Sequence, residues 1–241
     1  MRYGIFSDIH SNLEALDAVT RAYQGEGIDK YLCVGDIVGY AANPVECIRR
    51  VRELGAVIVA GNHDWASVGL LSVDYFNQFS REAAVWTGNM LDEDSRNFLK
   101  EIPLVYKGDG LTLAHGTLDD PGDFNYMLDP YAASLTFALL ETVICFVGHT
   151  HVPGVFIESK EGILCKEGGN TVIEKGNKYI INTGSVGQPR DEDPRAAYCI
   201  YDTDKKSVEI KRTSYDIQGA RESIISAGLP GFLGERLLKG R

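Results

Sequence analysis

The sequence predicts an α/β fold with parallel strands in its first third, on three observations. Short β-rich runs alternate there with helix-length amphipathic patterns. The helical patterns carry recognisable start signals, and right-handed crossovers between such runs make the strands parallel neighbours. At 241 residues and 44% hydrophobic content, the chain can bury one large core, so a single domain over residues 1–241 is expected.

The β-rich runs are Tyr3–Phe6, Tyr31–Val34 and Ala56–Ala60, and the helical patterns between them are Leu13–Tyr23 and Pro44–Leu54. Ser11 with Glu14 predicts a capping box for the first helix, and Asn43 before Pro44 predicts an N-cap and first-turn proline for the second. Phe76, Phe79, Ala83, Trp86 and Met90 recur at spacings of three and four, which predicts a helix packing that face on the core. Leu104–Tyr106 and Leu111–Ala114 flank Gly108-Asp109-Gly110 and read as a hairpin. A helix from Tyr131 to Leu140 leads into a strand at Val143–Val147. Gly154–Ile157, Lys178–Ile181, Ala196–Tyr201 and Ser207–Arg212 then read as antiparallel strands. An amphipathic tail, Ile217–Leu238, either folds back on the body or pairs subunits of a homo-oligomer.

Composition excludes several classes. A formal net charge of -10 argues against extended nucleic-acid binding through a broad basic face. The mostly apolar stretch Leu135–Val147 is interrupted by Glu141 and is shorter than the roughly 20 residues of a membrane helix, so no membrane partner is expected. Met1–Phe6 runs straight into a strand without an export signal, which points to a cytoplasmic protein. The five cysteines, Cys33, Cys47, Cys145, Cys165 and Cys199, show no CxxC spacing and read as reduced core thiols.

The chemistry concentrates at strand ends. The five histidines, His10, His63, His115, His149 and His151, all lie close behind β-like runs. The runs end in Ser7-Asp8-Ile9-His10, Gly35-Asp36, Gly61-Asn62-His63-Asp64, His115-Gly116 and Gly148-His149-Thr150-His151. Parallel strands present their C-terminal ends along one edge, where open α/β sheets bind ligands. The loops therefore converge, and bring imidazole, carboxylate and amide oxygen without thiolate, a donor mixture that suits manganese, iron, zinc or nickel. Glycines before Asp36, Asn62 and His149 and after His115 are expected to permit tight turns that aim these side chains.

The series DxH, GD, GNHD, H and GHxH, from Asp8 to His151, resembles the calcineurin-like metallophosphoesterases. The segment Asn182–Arg190 is similar to a further signature of their compact bacterial and archaeal branch, which groups predicted phosphodiesterases with relatives of diadenosine tetraphosphatases. The resemblance implies a four-layer αββα sandwich, two mixed β-sheets packed together with flanking helices. It assigns one metal to Asp8, His10, Asp36 and His151 and the other to Asp36, Asn62, His115 and His149, with Asp36 bridging. The ions implied are two divalent or trivalent transition metals: manganese, iron, zinc, nickel or cobalt. His63, left without a metal, is the implied general acid, with Asp64 as its hydrogen-bonding orienter. Two cations about 3.5 to 4 Å apart acidify a bridging water, whose hydroxide attacks phosphorus in line. A protonated imidazole opposite can then give its proton to the departing alkoxide.

The sequence departs from the family at one point. Protein serine/threonine phosphatases and symmetrical diadenosine tetraphosphatases continue the GD motif as GDxVDRG, whose arginine clamps phosphate. Here Gly35-Asp36 continues as Ile37-Val38-Gly39-Tyr40. Arg190 is the candidate replacement, because a guanidinium fork matches phosphate oxygens; the other reading pairs it with Asp191, Glu192 or Asp193. Asn12 either donates to a substrate oxygen or finishes the helix cap. In the loop Asp119–Met127, Phe124 or Tyr126 either stacks on a nucleobase or packs the loop, and Trp65, Tyr40 and Tyr75 carry the same two readings. The expected function is hydrolysis of a phosphodiester, a dinucleoside polyphosphate or another small phosphorylated metabolite. A phosphoprotein phosphatase is the nearest alternative. A non-catalytic protein-binding scaffold is disfavoured, since every implied ligand and His63 are present.

Overall fold

Alternation along the first strands decides the layering. In the computed structural model, which describes residues 1–241, β1 (Arg2–Phe6), β2 (Lys30–Cys33) and β3 (Val57–Ile58) are parallel and are joined by α1 (Leu13–Tyr23) and α2 (Pro44–Glu53). Tyr3, Ile5 and Leu32 point to one side of this sheet; Phe6 and Cys33 point to the other, against Leu16, Val19 and Tyr23 of α1 and Ile48 of α2. Both faces are apolar, so both must be covered.

The chain continues through α3 (Asn62–Ser67), α4 (Gln78–Met90), α5 (Glu93–Glu101), β4 (Val105–Gly108), β5 (Leu111–Ala114), α6 (Pro130–Leu139) and β6 (Ile144–Val147). Next come β7 (Gly154–Ser159), β8 (Gly162–Glu167), β9 (Asn170–Val172), β10 (Lys178–Asn182), β11 (Ala196–Asp202) and β12 (Ser207–Thr213), before α7 (Ile217–Ser226) and α8 (Gly231–Leu237). Two six-stranded sheets result, ordered β3-β2-β1-β11-β12-β9 and β4-β5-β6-β10-β7-β8. Ile5, Leu32 and Val34 of the first meet Leu113, Phe146 and Ile181 of the second, each of them buried. Such side chains contribute about 1.5–3 kcal/mol each when fully buried. On the outer face of the second sheet, Phe137 and Leu140 from the α6 region cover Cys145, Val147 and Ile180. The fold is therefore the sandwich of two mixed sheets with flanking helices that the family resemblance implied.

Several local expectations are corrected. The capping box at Ser11 does not form: Ser11 sits at φ 57° and its hydroxyl accepts from Gly39 N, while Asn12 caps α1 by accepting from Ala15 N at 3.1 Å. Asn43 takes the N-cap position without a side-chain bond, and Pro44 opens α2 as predicted. On α4 the expected face holds for Ala83, which is buried, and for Phe79 and Trp86, which pack against the same cluster, whereas Met90 is exposed and Phe76 precedes the helix. β10 is antiparallel to β7 but parallel to β6, because the excursion through β7, β8 and β9 returns the chain to the middle of the sheet. The short strands β8 and β9 and helix α5 carry no signal singled out in the sequence. The hairpin is as expected: Asp109 and Gly110, at φ 54° and 76°, form its two-residue turn.

The amphipathic tail folds back. Ala220, Ile224, Leu229, Leu233 and Leu237 pack with Tyr40, Ala41 and Ala83, beside the loop that follows β2. No helix is long and apolar enough to cross a membrane. All five cysteines are free; four are buried and Cys165 is exposed.

Candidate metal centre

The C-terminal ends of β1, β2 and β3 and of β5, β6 and β10 supply the loops of the centre. Backbone bonds tie these loops together. Asp8 N donates to Gly35 O and His10 N to Asp36 O, both at 3.0 Å, and Gly148 N donates to His115 O at 2.9 Å. His149 N donates to the Asp8 carboxylate at 3.1 Å. Five of the seven metal-ligand candidates, Asp8, His10, Asp36, His149 and His151, occupy left-handed backbone at φ between 51° and 68°. Conformations of this kind cost on the order of 1–3 kcal/mol each and persist where the surroundings over-determine them.

The motif glycines serve chiefly close approach. Gly61 has an ordinary φ of −100°, but a Cβ there would run into the Asp36 carboxylate. Gly35 combines φ +92° with a Cβ position 2.7 Å from His115 Nδ1. The tight-turn expectation thus holds for Gly35, while packing between the β2 and β3 loops explains Gly61.

The side chains converge as expected from sequence. Asp8, His10 and His151 can offer ligand atoms within 4.8 Å of one another, and so can Asp36, His115 and His149. Asp36 Oδ2 stands 3.6 Å from His10 Nε2 and 3.3 Å from His115 Nε2, a position between the two groups. His10, His115 and His151 each direct Nδ1 at a backbone carbonyl, of Val38, Val34 and Gln188, at 3.1, 2.7 and 2.6 Å. A carbonyl only accepts, so Nδ1 carries a proton and Nε2 is the nitrogen that faces the carboxylates, the arrangement that orients metal-ligating histidines. Asn62 Oδ1 and His115 Nε2 are buried without a partner. Those orphaned atoms and the oxygen-and-imidazole donor set fit transition-metal ions.

By themselves these groups are in electrostatic conflict. Burial pushes His10, His149 and His151 down, His149 to about 3, and so favours neutral imidazoles able to ligate. Burial also disfavours a charged His115, yet the Asp36 and Asp8 carboxylates raise it to about 10. Burial opposes ionisation of Asp8 and Asp36, but His151 and His115 respectively hold them below the usual carboxylate range. A shared positive charge is what the cluster requires.

His63 is also buried and belongs to a third group with His10 and Asp36, its ring centroid 5.0 Å from that of His10. Its Nδ1 has no partner. Asp64 does not orient it, which corrects the expectation: as the third residue of α3, its carboxylate reaches back to Gly61 N and across to Val38 N, at 3.0 and 3.2 Å. Asp64 therefore braces the ligand loops. Asn12 leaves the substrate-binding set, because its Oδ1 caps α1 and its Nδ2 donates to Gly187 O at 2.8 Å in a buried position.

Arg190 does face the site. The neighbouring carboxylates are paired elsewhere, Asp191 with Arg212, Glu192 with Arg241 and Asp193 with Arg195. Its guanidinium lies 5.8 Å over the Tyr40 ring, donates to Gln188 Oε1 at 2.8 Å and leaves a buried Nε unpartnered. A cleft of about 540 Å³ opens here, walled by Asn62, His63, Tyr126, His149 and Arg190. Tyr126 stacks on His149 at 4.0 Å, while Phe124 is buried edge-on to Trp65, so both aromatics of the loop after β5 border the cleft and Phe124 also anchors the loop. Tyr40 packs against His10 and His63, and the highly exposed Tyr75 borders the opening.

Sequence reading missed the supports. Ser185 Oγ donates to Asp8 O, Asn182 Nδ2 donates to Gly148 O, and the Gln188 carbonyl holds His151. The segment Asn182–Arg190 thus buttresses two ligand loops. Its polar residues Asn182, Ser185 and Gln188, at spacings of three, were the available signal, whereas the Val34 and Val38 carbonyls leave none.

Comparison with known proteins agrees with this geometry. A model of the calcineurin-like phosphoesterase superfamily domain matches residues 1–206. An uncharacterised protein of Methanocaldococcus jannaschii is 42% identical over 241 residues, covering 98% of this chain and 97% of that one. The crystal structure of a metallophosphoesterase from Sphaerobacter thermophilus matches with a TM-score of 0.87 at 38% identity, over 100% of this chain and 99% of that one. A hypothetical protein from Pyrococcus horikoshii shares the fold, with a TM-score of 0.80 at 18% identity over 100% of this chain and 98% of its own.

Proposed function

This chain belongs to the calcineurin-like phosphoesterase superfamily, hydrolases of phosphate esters, and on that premise we propose that it works with two metal ions on a small phosphorylated substrate. The observation that carries the proposal is the common direction of the His10, His115 and His151 Nε2 atoms, fixed by three backbone carbonyls toward Asp8 and Asp36. Asp8, His10, Asp36 and His151 would hold one ion, and Asp36, Asn62, His115 and His149 the other. When bound, such a pair supplies Lewis-acid charge and a water acidified enough to attack phosphorus at neutral pH.

The remaining residues do the positioning. Arg190 offers a guanidinium free of carboxylates to the phosphate oxygens. His63 stands beside the ligand cluster, neutral by itself because burial and the Arg190 charge push it down to about 4 despite the Asp36 carboxylate. The negative charge of a bound phosphate favours its protonated form, from which it gives a proton to the leaving oxygen. The cleft of about 540 Å³ is of small-molecule size, which supports a phosphodiester, dinucleoside polyphosphate or other metabolite over a phosphoprotein. Retention of left-handed backbone at five candidate ligands supports catalysis over a scaffold, where that strain would have no use.

The test is metal content by elemental analysis beside manganese-dependent turnover of bis(4-nitrophenyl) phosphate. The expected result is about two ions per chain and activity abolished by chelation; Asp36→Asn should lose both. Turnover that survives chelation would overturn the two-metal reading.

A further inference from the structure

The cleft that starts at the metal centre does not end there. It continues along the segment Tyr75–Ser80 to Arg236 on α8, which lines it together with Arg190. The tail builds this wall: Phe232 stacks on Phe79 at 4.7 Å, and Leu233 and Leu237 pack with Tyr40 and Ala83. Arg236 lies 5.6 Å over the Phe232 ring, its Nε donates to the backbone oxygen of Arg241, and no side-chain carboxylate pairs with it. Its neighbour Glu235 is taken by Arg221.

Two guanidiniums without an Asp or Glu partner thus share one cleft; Arg236 is held through Nε alone, by the oxygen of the last residue, Arg241, and its two Nη groups make no hydrogen bond. Burying cationic groups side by side is costly unless an anion compensates them. The effect is visible in Arg236 itself, which burial and then the Arg190 charge pull down to about 10, so that it still carries its charge at neutral pH. The single carboxylate among the lining residues, Asp123, sits on the loop after β5 and pairs with neither arginine. Tyr40 and Ser80, whose hydroxyls are 2.8 Å apart, also line the cleft.

We propose that Arg236 forms a second anion subsite, so that the substrate carries a second phosphate group in addition to the phosphorus attacked at the metals. This rests on the metal-centre reading for the first phosphate only. Arg190 then serves the scissile group and Arg236 the distal one. The tail helix α8, beyond the residues 1–206 that the family model covers, becomes a specificity element.

A matched pair of ligands tests the subsite: adenosine 5′-monophosphate and adenosine 3′,5′-bisphosphate, which differ by one phosphate. Their affinities are measured by calorimetry on the metal-loaded protein, and nitrophenyl ester turnover is followed in parallel. The wild type is expected to bind the bisphosphate about tenfold or more tightly than the monophosphate, the scale of a charge-assisted contact. Arg236→Gln should erase the difference while leaving monophosphate affinity unchanged, and Arg236→Lys should restore part of it. Equal affinity for the two ligands in the wild type, or a preference that survives in a folded Arg236→Gln, would overturn the proposal. Far-ultraviolet circular dichroism confirms that the variant is folded; if Gln disrupts the tail, the wild-type and Lys measurements still decide. Loss of ester turnover with the bisphosphate preference intact would count against the metal-centre reading instead.

Discussion

His10 Nε2 and His151 Nε2 stand 3.0 Å apart, 141 residues apart in the chain. Each has its other ring nitrogen facing a carbonyl, so two lone pairs point at each other, and a direct bond between them would need a proton that neither neutral tautomer offers. Imidazole nitrogens bind a transition metal at about 2.0–2.1 Å, so two that stand this close would both reach one ion. The pair is poised for a cation.

Metal binding should therefore stabilise the fold. Added manganese is expected to raise the melting temperature over that of chelator-treated protein, by a free energy of about 2.7 kcal/mol at a hundredfold excess over Kd. Differential scanning calorimetry with and without chelator measures it, and coincident melting curves would contradict a metal centre in these loops.

Gly61→Ala should damage the centre, since its Cβ would enter the Asp36 carboxylate. The expected outcome is loss of metal and of ester turnover, with a fall in stability of about 1–3 kcal/mol from overpacking. Gly25→Ala, where nothing lies within 4 Å, is the control. Equal behaviour of the two variants would mean that the loops after β2 and β3 are not held as described.

For His63→Asn, the expectation depends on the leaving group. If His63 protonates the leaving oxygen, a substrate with a basic alkoxide should slow by roughly 10² to 10⁴-fold while a nitrophenyl ester slows much less, with metal content unchanged. Its proximity to His10 and Asp36 supplies the opposing outcome: equal losses together with lost metal would make it a ligand.

Arg190→Ala should keep the metal and lower kcat/KM by about 10- to 100-fold, the loss of one charge-assisted hydrogen bond to phosphate. Steady-state kinetics and elemental analysis read the two separately. Unchanged kinetics would return Arg190 to a purely structural role on Gln188 and Tyr40.

The sequence by itself determined the parallel βαβαβ start, the hairpin at Asp109-Gly110 and the identity of the converging residues. Those are local matters: alternation, caps and turn chemistry act over a few residues, and Asp8, Asp36, Asn62 and the histidines had to follow strand ends to share one edge. What only the tertiary structure decided depends on atoms brought together from far along the chain. Asp64 turned to Gly61 and Val38 rather than to His63 because the β2 and β3 loops left two backbone donors to satisfy there. Asn12 became a cap pinned to Gly187, 175 residues away. Arg190 was freed for the cleft because Arg212, Arg241 and Arg195 took the adjacent carboxylates. The tail turned inward because its apolar face found Tyr40, Ala41 and Ala83, and so placed Arg236 on the cleft. Each outcome was a competition between partners distant in sequence, which burial and hydrogen-bond satisfaction resolve only once the layers have packed.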